Sequence, residues 1–197
     1  MTDKLAVVTG AGRGTGKAIA LELARRGWRV VVVDINPDAA ERVVEEIARA
    51  GGAAEAQVVD VSNKLAAQTM LYALLERGER IGLLVNAAWV TPGSSALKLD
   101  EWEWNRTLEV NLKGAFLMAQ TAARAMRETG GGLILNVVRP VEASSHAAVR
   151  AARDGLPGLT AVLAAEWAPL GVRVEAVLSG VEPEVATAEA ARRAGQP

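Results

Sequence analysis

The sequence predicts a doubly wound α/β domain, a parallel sheet covered by helices on both faces. Three observations carry that prediction. Short apolar runs alternate with amphipathic stretches along most of the chain, the pattern that successive βα units produce. The run Trp28-Arg29-Val30-Val31-Val32-Val33 lacks polar alternation, as strands buried on both faces do. The first run, Leu5-Ala6-Val7-Val8, enters the glycine-rich turn Thr9-Gly10-Ala11-Gly12-Arg13-Gly14-Thr15-Gly16. Glycine lets a chain leaving a strand turn over a pyrophosphate and point the next helix's amides at it.

Gly10, Gly14 and Gly16 fall in a T-G-x-x-x-G-x-G spacing, and Ala18, Ile19, Leu21 and Leu23 follow at helical intervals, so both flanks of a phosphate cradle are present. Packing helix against strand is the alternative use of these glycines. The second strand, Trp28 to Val33, ends at Asp34, 18 residues beyond Gly16. That offset suits a carboxylate that accepts hydrogen bonds from an adenosine ribose and repels a 2′-phosphate, which favours NAD over NADP. A solvated strand-end carboxylate is the simpler reading of the same residue.

Pro37 suits the first turn of a helix striped by Val43, Val44 and Ile47 and ended by Gly51-Gly52. The third strand runs from Ala54 to Val59, and Ser62 after Asp60-Val61 is the expected N-cap of a helix carrying Met70, Leu71, Leu74 and Leu75. Gly82 to Val85 forms a short central strand stopping at Asn86. Ligands bind at the carboxyl ends of parallel strands, so Asp34, Asp60 and Asn86 share the ligand side. Asp100 and Glu103 make a capping box for one long helix through Leu108, Leu112, Phe116, Leu117 and Met126, ended by Gly130-Gly131-Gly132. Leu133 to Val138 is strand five, broken by Arg139-Pro140. A helix then runs from about Ser144 to Trp167, with a kink expected where Gly155, Pro157 and Gly158 interrupt it. Val172 to Val177 is strand six, and the tail from Glu182 to Pro197 forms a short helix near Ala186 to Arg193 or frays. Trp102 and Trp104 are expected to cover apolar surface, and Arg192-Arg193 to face solvent.

Composition narrows the partners. The 197 residues suit one core, and 22 basic against 23 acidic residues leave a net charge of −1, which gives neither nucleic acid nor anionic membrane a field to bind. No cysteine is present and only one histidine, which excludes disulfides and thiolate catalysis and argues against a zinc site, so no metal is expected. Met1-Thr2-Asp3-Lys4 leads straight into the first strand without a charged-then-apolar leader, and no apolar run reaches about 18 residues. A soluble, cytoplasmic protein is expected.

The glycine turn, Asp34, Asp60-Val61, Leu84-Val85-Asn86-Ala87-Ala88, Val110-Asn111-Leu112-Lys113-Gly114 and Gly171-Val172-Arg173-Val174 together resemble the classical short-chain dehydrogenase/reductase family. The resemblance runs from Lys4 to about Gly180. It implies a Rossmann-type domain over 1–180, about six strands, and a short tail over 181–197 in place of the family's substrate loop, last helix and seventh strand. It implies a cofactor site in which Gly10, Arg13, Gly14, Thr15 and Gly16 line the pyrophosphate. Asp34 would take the adenosine ribose, Asp60 and Val61 would flank adenine, and Asn86 would sit beside that ribose.

The family's proton relay is where this chain departs from the pattern. Of its asparagine, serine, tyrosine and lysine, only Asn111 is kept. Arg139 occupies the serine position, Val149 the tyrosine position and Arg153 the lysine position. Trp89 and Glu184 stand where they would crowd or repel a nicotinamide. The only tyrosine, Tyr72, precedes strand four. Hydride delivery to a carbonyl needs a proton donor in reach; valine has none, and arginine keeps its protons. Three readings follow. The first is a non-catalytic subunit that pairs with an active paralogue through the helices at 100–127 and 144–168, giving a heteromeric NAD-dependent dehydrogenase; a homodimer would use the same helices. The second is a free-standing NAD-binding or sensing protein. The third is an active oxidoreductase with His146 as its acid, although a lone histidine at a helix start more often caps or faces solvent.

Overall fold

A computed structural model describes residues 5–91, 93–140 and 146–178. Its strands are β1 (Leu5–Thr9), β2 (Arg29–Asp34), β3 (Ala54–Val58), β4 (Ile81–Asn86), β5 (Gly132–Val138) and β6 (Val172–Leu178). Its α-helices are α1 (Gly14–Arg25), α2 (Pro37–Arg49), α3 (Lys64–Glu76), α4 (Glu101–Leu108), α5 (Ala115–Glu128) and α6 (Ala147–Trp167). The strands form one sheet in the order β3-β2-β1-β4-β5-β6, with every pairing parallel. The predicted doubly wound α/β fold is the observed one.

Strand alternation divides the core into two layers. Leu5, Val7, Val31 and Val33 pack with Met70 and Leu74 of α3 and Met118 and Ala122 of α5. Ala6, Val8, Val30 and Val32 point the opposite way, onto Ile19 and Leu23 of α1 and Val43 and Ile47 of α2. Helices therefore cover both faces, which is why the strands read as continuous apolar runs.

Two local expectations need correction. Asn63, not Ser62, caps α3: its Oδ1 accepts from Ala66 N at 3.1 Å. Ser62 is engaged with Asp60, to whose Oδ1 its hydroxyl donates at 2.7 Å. The long helix after Asp100 is not uniform, because Glu109–Gly114 forms a π-helical segment between α4 and α5. The capping role of Asp100 is observed, with Oδ1 accepting from Glu103 N at 2.7 Å.

The apolar residues along that helix divide between two surroundings. Leu108, Leu112 and Phe116 line a surface groove with Leu159 of α6, while Val110, Met118 and Ala119 are the residues buried in the core. Trp102 and Trp104 stand 71% and 38% exposed on α4, and neither lines the cavity described below. Helix α6 runs unbroken through Pro157, which withholds one backbone donor without ending the helix. Among the described residues β6 is a sheet edge. The start of the last helix at Ser144 and Ser145, and the tail from Ser179 onward, lie outside the described residues.

Candidate functional site

The order of the sheet reverses between β1 and β4, and in open α/β sheets such a switch point opens a crevice at the strands' carboxyl ends. A cavity of about 570 Å³ lies there. The β1–α1 turn contributes Gly10, Arg13, Gly14, Thr15 and Gly16; β2 ends in Asp34 and Ile35, and β3 leads into Val59, Asp60 and Val61. The segment after β4 supplies Ala87, Ala88, Trp89, Val90 and Thr91, the helix opposite supplies Arg106 and Val110, and β5 leads into Arg139. Eight of the nine residues expected to bind a cofactor converge on this one cavity.

Gly10 adopts φ +62°, and a Cβ there would lie 2.6 Å from Ala88 Cα, so only glycine allows β1 and the β4 segment to meet this closely. Gly14 opens α1 at φ +56°, and a Cβ there would meet nothing. The first turn of α1, a helix of 12 residues, carries no acidic side chain, so its free amides and dipole favour an anion.

Asp34 is anchored on the wall of the cavity. Its Oδ2 accepts from Gly12 N at 2.9 Å and its Oδ1 from Asn36 N at 3.0 Å, and each oxygen keeps a further acceptor site. Asp60 belongs to a tighter cluster. Its Oδ1 accepts from Ser62 N and Oγ, and its Oδ2 accepts from Arg106 Nη1 at 2.9 Å. Partial burial is the largest single influence on this carboxyl and pushes its pKa up. The hydrogen bonds from Ser62 and the Arg106 guanidinium together outweigh it and hold the pKa below the usual carboxylate value.

Three buried asparagines support the cavity from behind. Asn86 does not line it: Nδ2 donates to Ala115 O at 3.1 Å and to Asn136 Oδ1 at 2.9 Å, so its side chain is turned into the interior. Asn136 Nδ2 continues the chain to Thr160 Oγ1. Asn111, in the π-helical segment, clamps Val90 from both sides, with Oδ1 accepting from Val90 N and Nδ2 donating to Val90 O, each at 2.8 Å. Thr9 does the same office one turn away, its Oγ1 accepting from Ala87 N and Ala88 N. Thr9 opens the glycine turn in the sequence, but Arg106 had no motif of its own. Arg106 precedes Val110 by one helical turn, which was the available signal that both face the same way.

The remaining relay positions do not converge. Arg139 lines the cavity. Val149 is 2% exposed within the core. Arg153 Nη1 donates to Asp154 Oδ1 at 2.5 Å, and Asp154 is held below the usual carboxylate range by Arg153 and Arg150. His146 contacts the carbonyl of Ser94 through Nδ1, and neither it nor Tyr72 of α3 lines the cavity. Among the described residues no group of acidic, histidine or cysteine side chains could hold a metal ion, and no helix is long and apolar enough to cross a membrane.

The profile of the short chain dehydrogenase family matches residues 4–193. The chain belongs to that family. D-threitol dehydrogenase of Mycolicibacterium smegmatis is 37% identical over 180 residues, spanning 90% of this chain and 69% of that protein. NAD-dependent glycerol dehydrogenase of Listeria innocua is also 37% identical, over 182 residues, 90% of this chain and 70% of its own length. A solved metagenomic short-chain oxidoreductase in complex with NADP superposes with a TM-score of 0.93 at 33% identity, covering 100% of this chain and 92% of that one. As a short-chain dehydrogenase, the chain has a cavity whose donor set fits a dinucleotide: free helix amides for a pyrophosphate, and a carboxylate at the β2 end for a sugar.

Proposed function

We propose that this short-chain dehydrogenase is an NAD-binding subunit without a proton relay of its own, paired with a catalytically intact homologue in an NAD-dependent alcohol dehydrogenase or ketoreductase. One contrast carries the reading. The expected pyrophosphate residues share one cavity with Asp34, Asp60 and Val61, whereas the position of the family's acid is a core valine, Val149.

The bound nicotinamide would supply hydride; the chain's own residues determine what else can happen. Gly10, Gly14 and Gly16 bring backbone amides to the pyrophosphate, and Asp34 offers its free acceptor sites to the ribose hydroxyls. A 2′-phosphate would meet the Asp34 charge, which favours NAD. Among the described residues, none of the relay positions offers a proton for the developing alkoxide. Val149 has none, the Arg139 and Arg153 guanidinium groups do not release theirs at ordinary pH, and His146 is turned onto Ser94 O. General acid catalysis contributes about 10²- to 10⁴-fold, and the loss of cooperating groups is not made up by the one retained asparagine.

Pairing is supported by the groove between the helices. About 390 Å³ in volume, it is lined by Leu108, Leu112, Phe116 and Leu159, with Glu109 and Lys113 among the lining residues. Val162, 55% exposed, lies one turn beyond Leu159 on α6. A homologue presenting its equivalent helices would bury this face in an isologous contact.

The test is purification of the chain alone and after co-expression with an intact homologue from the same source. Titration calorimetry should show NAD and AMP binding to the isolated chain, with NADH oxidation at background across a panel of carbonyl compounds, and co-expression should yield a stable complex. Robust turnover by the isolated chain overturns the reading. An NAD-binding chain that stays monomeric and recruits no homologue would instead be a free-standing nucleotide-binding protein.

A further inference from the structure

The charged side chains around the cavity are unequally committed. Arg106 is paired with Asp60, and Asp34 holds two backbone amides. Arg13 and Arg139 both line the cavity, and among the described residues no acidic group lies in ion-pair range of either; Arg13 belongs to the glycine turn, whereas Arg139 lines the cavity from the end of β5. Its neighbours along that wall are Trp89, Val90 and Thr91, none of which carries a charge.

Strand order fixes where this cation falls. Asp34 stands at the end of β2 and the glycine turn at the end of β1, with β4 and β5 following in the sheet. At the usual strand spacing β5 lies about 14 Å from β2. A dinucleotide with its adenosine at Asp34 and its pyrophosphate on the glycine turn therefore extends its nicotinamide toward Trp89 and Arg139.

We infer that this end of the cavity is a charge-selective site, in which Arg139 admits the neutral ring of NADH and disfavours the cationic ring of NAD⁺. The inference rests on the nucleotide-binding reading above. The guanidinium stays charged at all ordinary pH, so the selectivity does not depend on titration. The Trp89 indole works in the other direction, since an aromatic face attracts a cation. At a half-open site that attraction is worth a factor of a few, whereas a unit charge a ring's width away, in a protein cleft of intermediate dielectric, is worth about tenfold or more. Among the described residues Arg139 decides the balance, and the chain binds reduced cofactor in preference to oxidised.

The experiment compares NADH, NAD⁺, ADP-ribose and AMP by titration calorimetry on the full chain, as wild type, Arg139→Gln and Arg139→Lys. Wild type and Arg139→Lys should bind NADH at least about tenfold more tightly than NAD⁺, a difference of about 1.4 kcal/mol. Arg139→Gln should bring the two within about threefold while leaving AMP affinity unchanged. Wild-type affinities within about threefold of each other overturn the inference, as does an undiminished preference in Arg139→Gln. If Arg139→Gln loses AMP binding, the wild-type ratio and Arg139→Lys decide by the same thresholds. AMP binding with no redox preference leaves the nucleotide reading standing and removes only this inference. Failure of wild type to bind AMP or ADP-ribose removes both.

Discussion

Replacing Asn136 by leucine tests whether the buried amide chain holds the second half of the sheet together. Asn136 is 1% exposed. It faces Asn86 in the β4–β5 register, accepting from its Nδ2 at 2.9 Å and donating to Thr160 Oγ1 at 2.9 Å. Leucine keeps most of the volume and removes both bonds. Each is worth about 1 kcal/mol net, and the Asn86 donor left in the interior adds about 1–2 kcal/mol. Thr160 keeps its bond to Leu156 O, so its own cost is small. The expected loss is about 3 kcal/mol, a large part of the 5–15 kcal/mol by which domains are usually stable. In urea, with a slope of about 2 kcal/mol per molar, the unfolding midpoint should fall by about 1.5 M at unchanged slope. Thr160→Val should cost less, and the double variant should cost less than the sum because the residues share a bond. A midpoint shift below about 0.3 M, or strict additivity, would refute the assignment of an energetic role to this chain.

Gly10→Ala should be destabilising twice over, by about 1–2 kcal/mol for the left-handed backbone and further by the contact with Ala88. A fall of at least about 4 °C in Tm with weakened AMP binding is the expected readout, and an unchanged Tm would contradict the geometry. Asn63→Ala should cost about 1 kcal/mol through the lost cap, measured by urea unfolding, whereas Ser62→Ala should leave the α3 cap intact and weaken the Asp60–Arg106 cluster instead. The depressed pKa of Asp60 sets a sign for acid stability. The unfolded carboxyl, with a pKa of about 3.9, takes up its proton first, so the contribution is complete above about pH 4 and is lost as pH falls through the lower folded value. Asp60→Asn should therefore flatten the fall of unfolding free energy below pH 4, and slopes identical to wild type would count against it.

Strand positions, helix faces on the α1–α2 side and the glycine cradle were legible in the sequence because local periodicity and spacing determine them. Asp34, Asp60 and Val61 reached the cavity for the same reason: a residue at the carboxyl end of a parallel strand has little choice of side. What sequence could not resolve depends on contacts between distant segments. Ser62 and Asn63 are both competent caps, and only the presence of Arg106 across the turn commits Ser62 to Asp60. Asn86 turns inward because Asn136 lies beside it in the sheet, a fact of register. The apolar stripe of Leu108, Leu112 and Phe116 reported an apolar face correctly but not what covers it.

The π-helical segment has a consequence for the chain's tolerance of change in length. An α-helix advances about 100° per residue, and one wide turn holds an extra residue without advancing the helix by its usual increment. Upstream of Glu109 the phase aims Arg106 at the mouth of the crevice, and downstream of Gly114 it seats Met118 and Ala122 against the strands. Winding all the present residues into a regular spiral would swing one half by about 100° relative to the other, whereas excising a single residue between those points would restore a regular spiral with both halves facing as they do now. The wide turn works as a phase coupler, letting one rod serve two surfaces that a uniform helix of the same residues could not face at once.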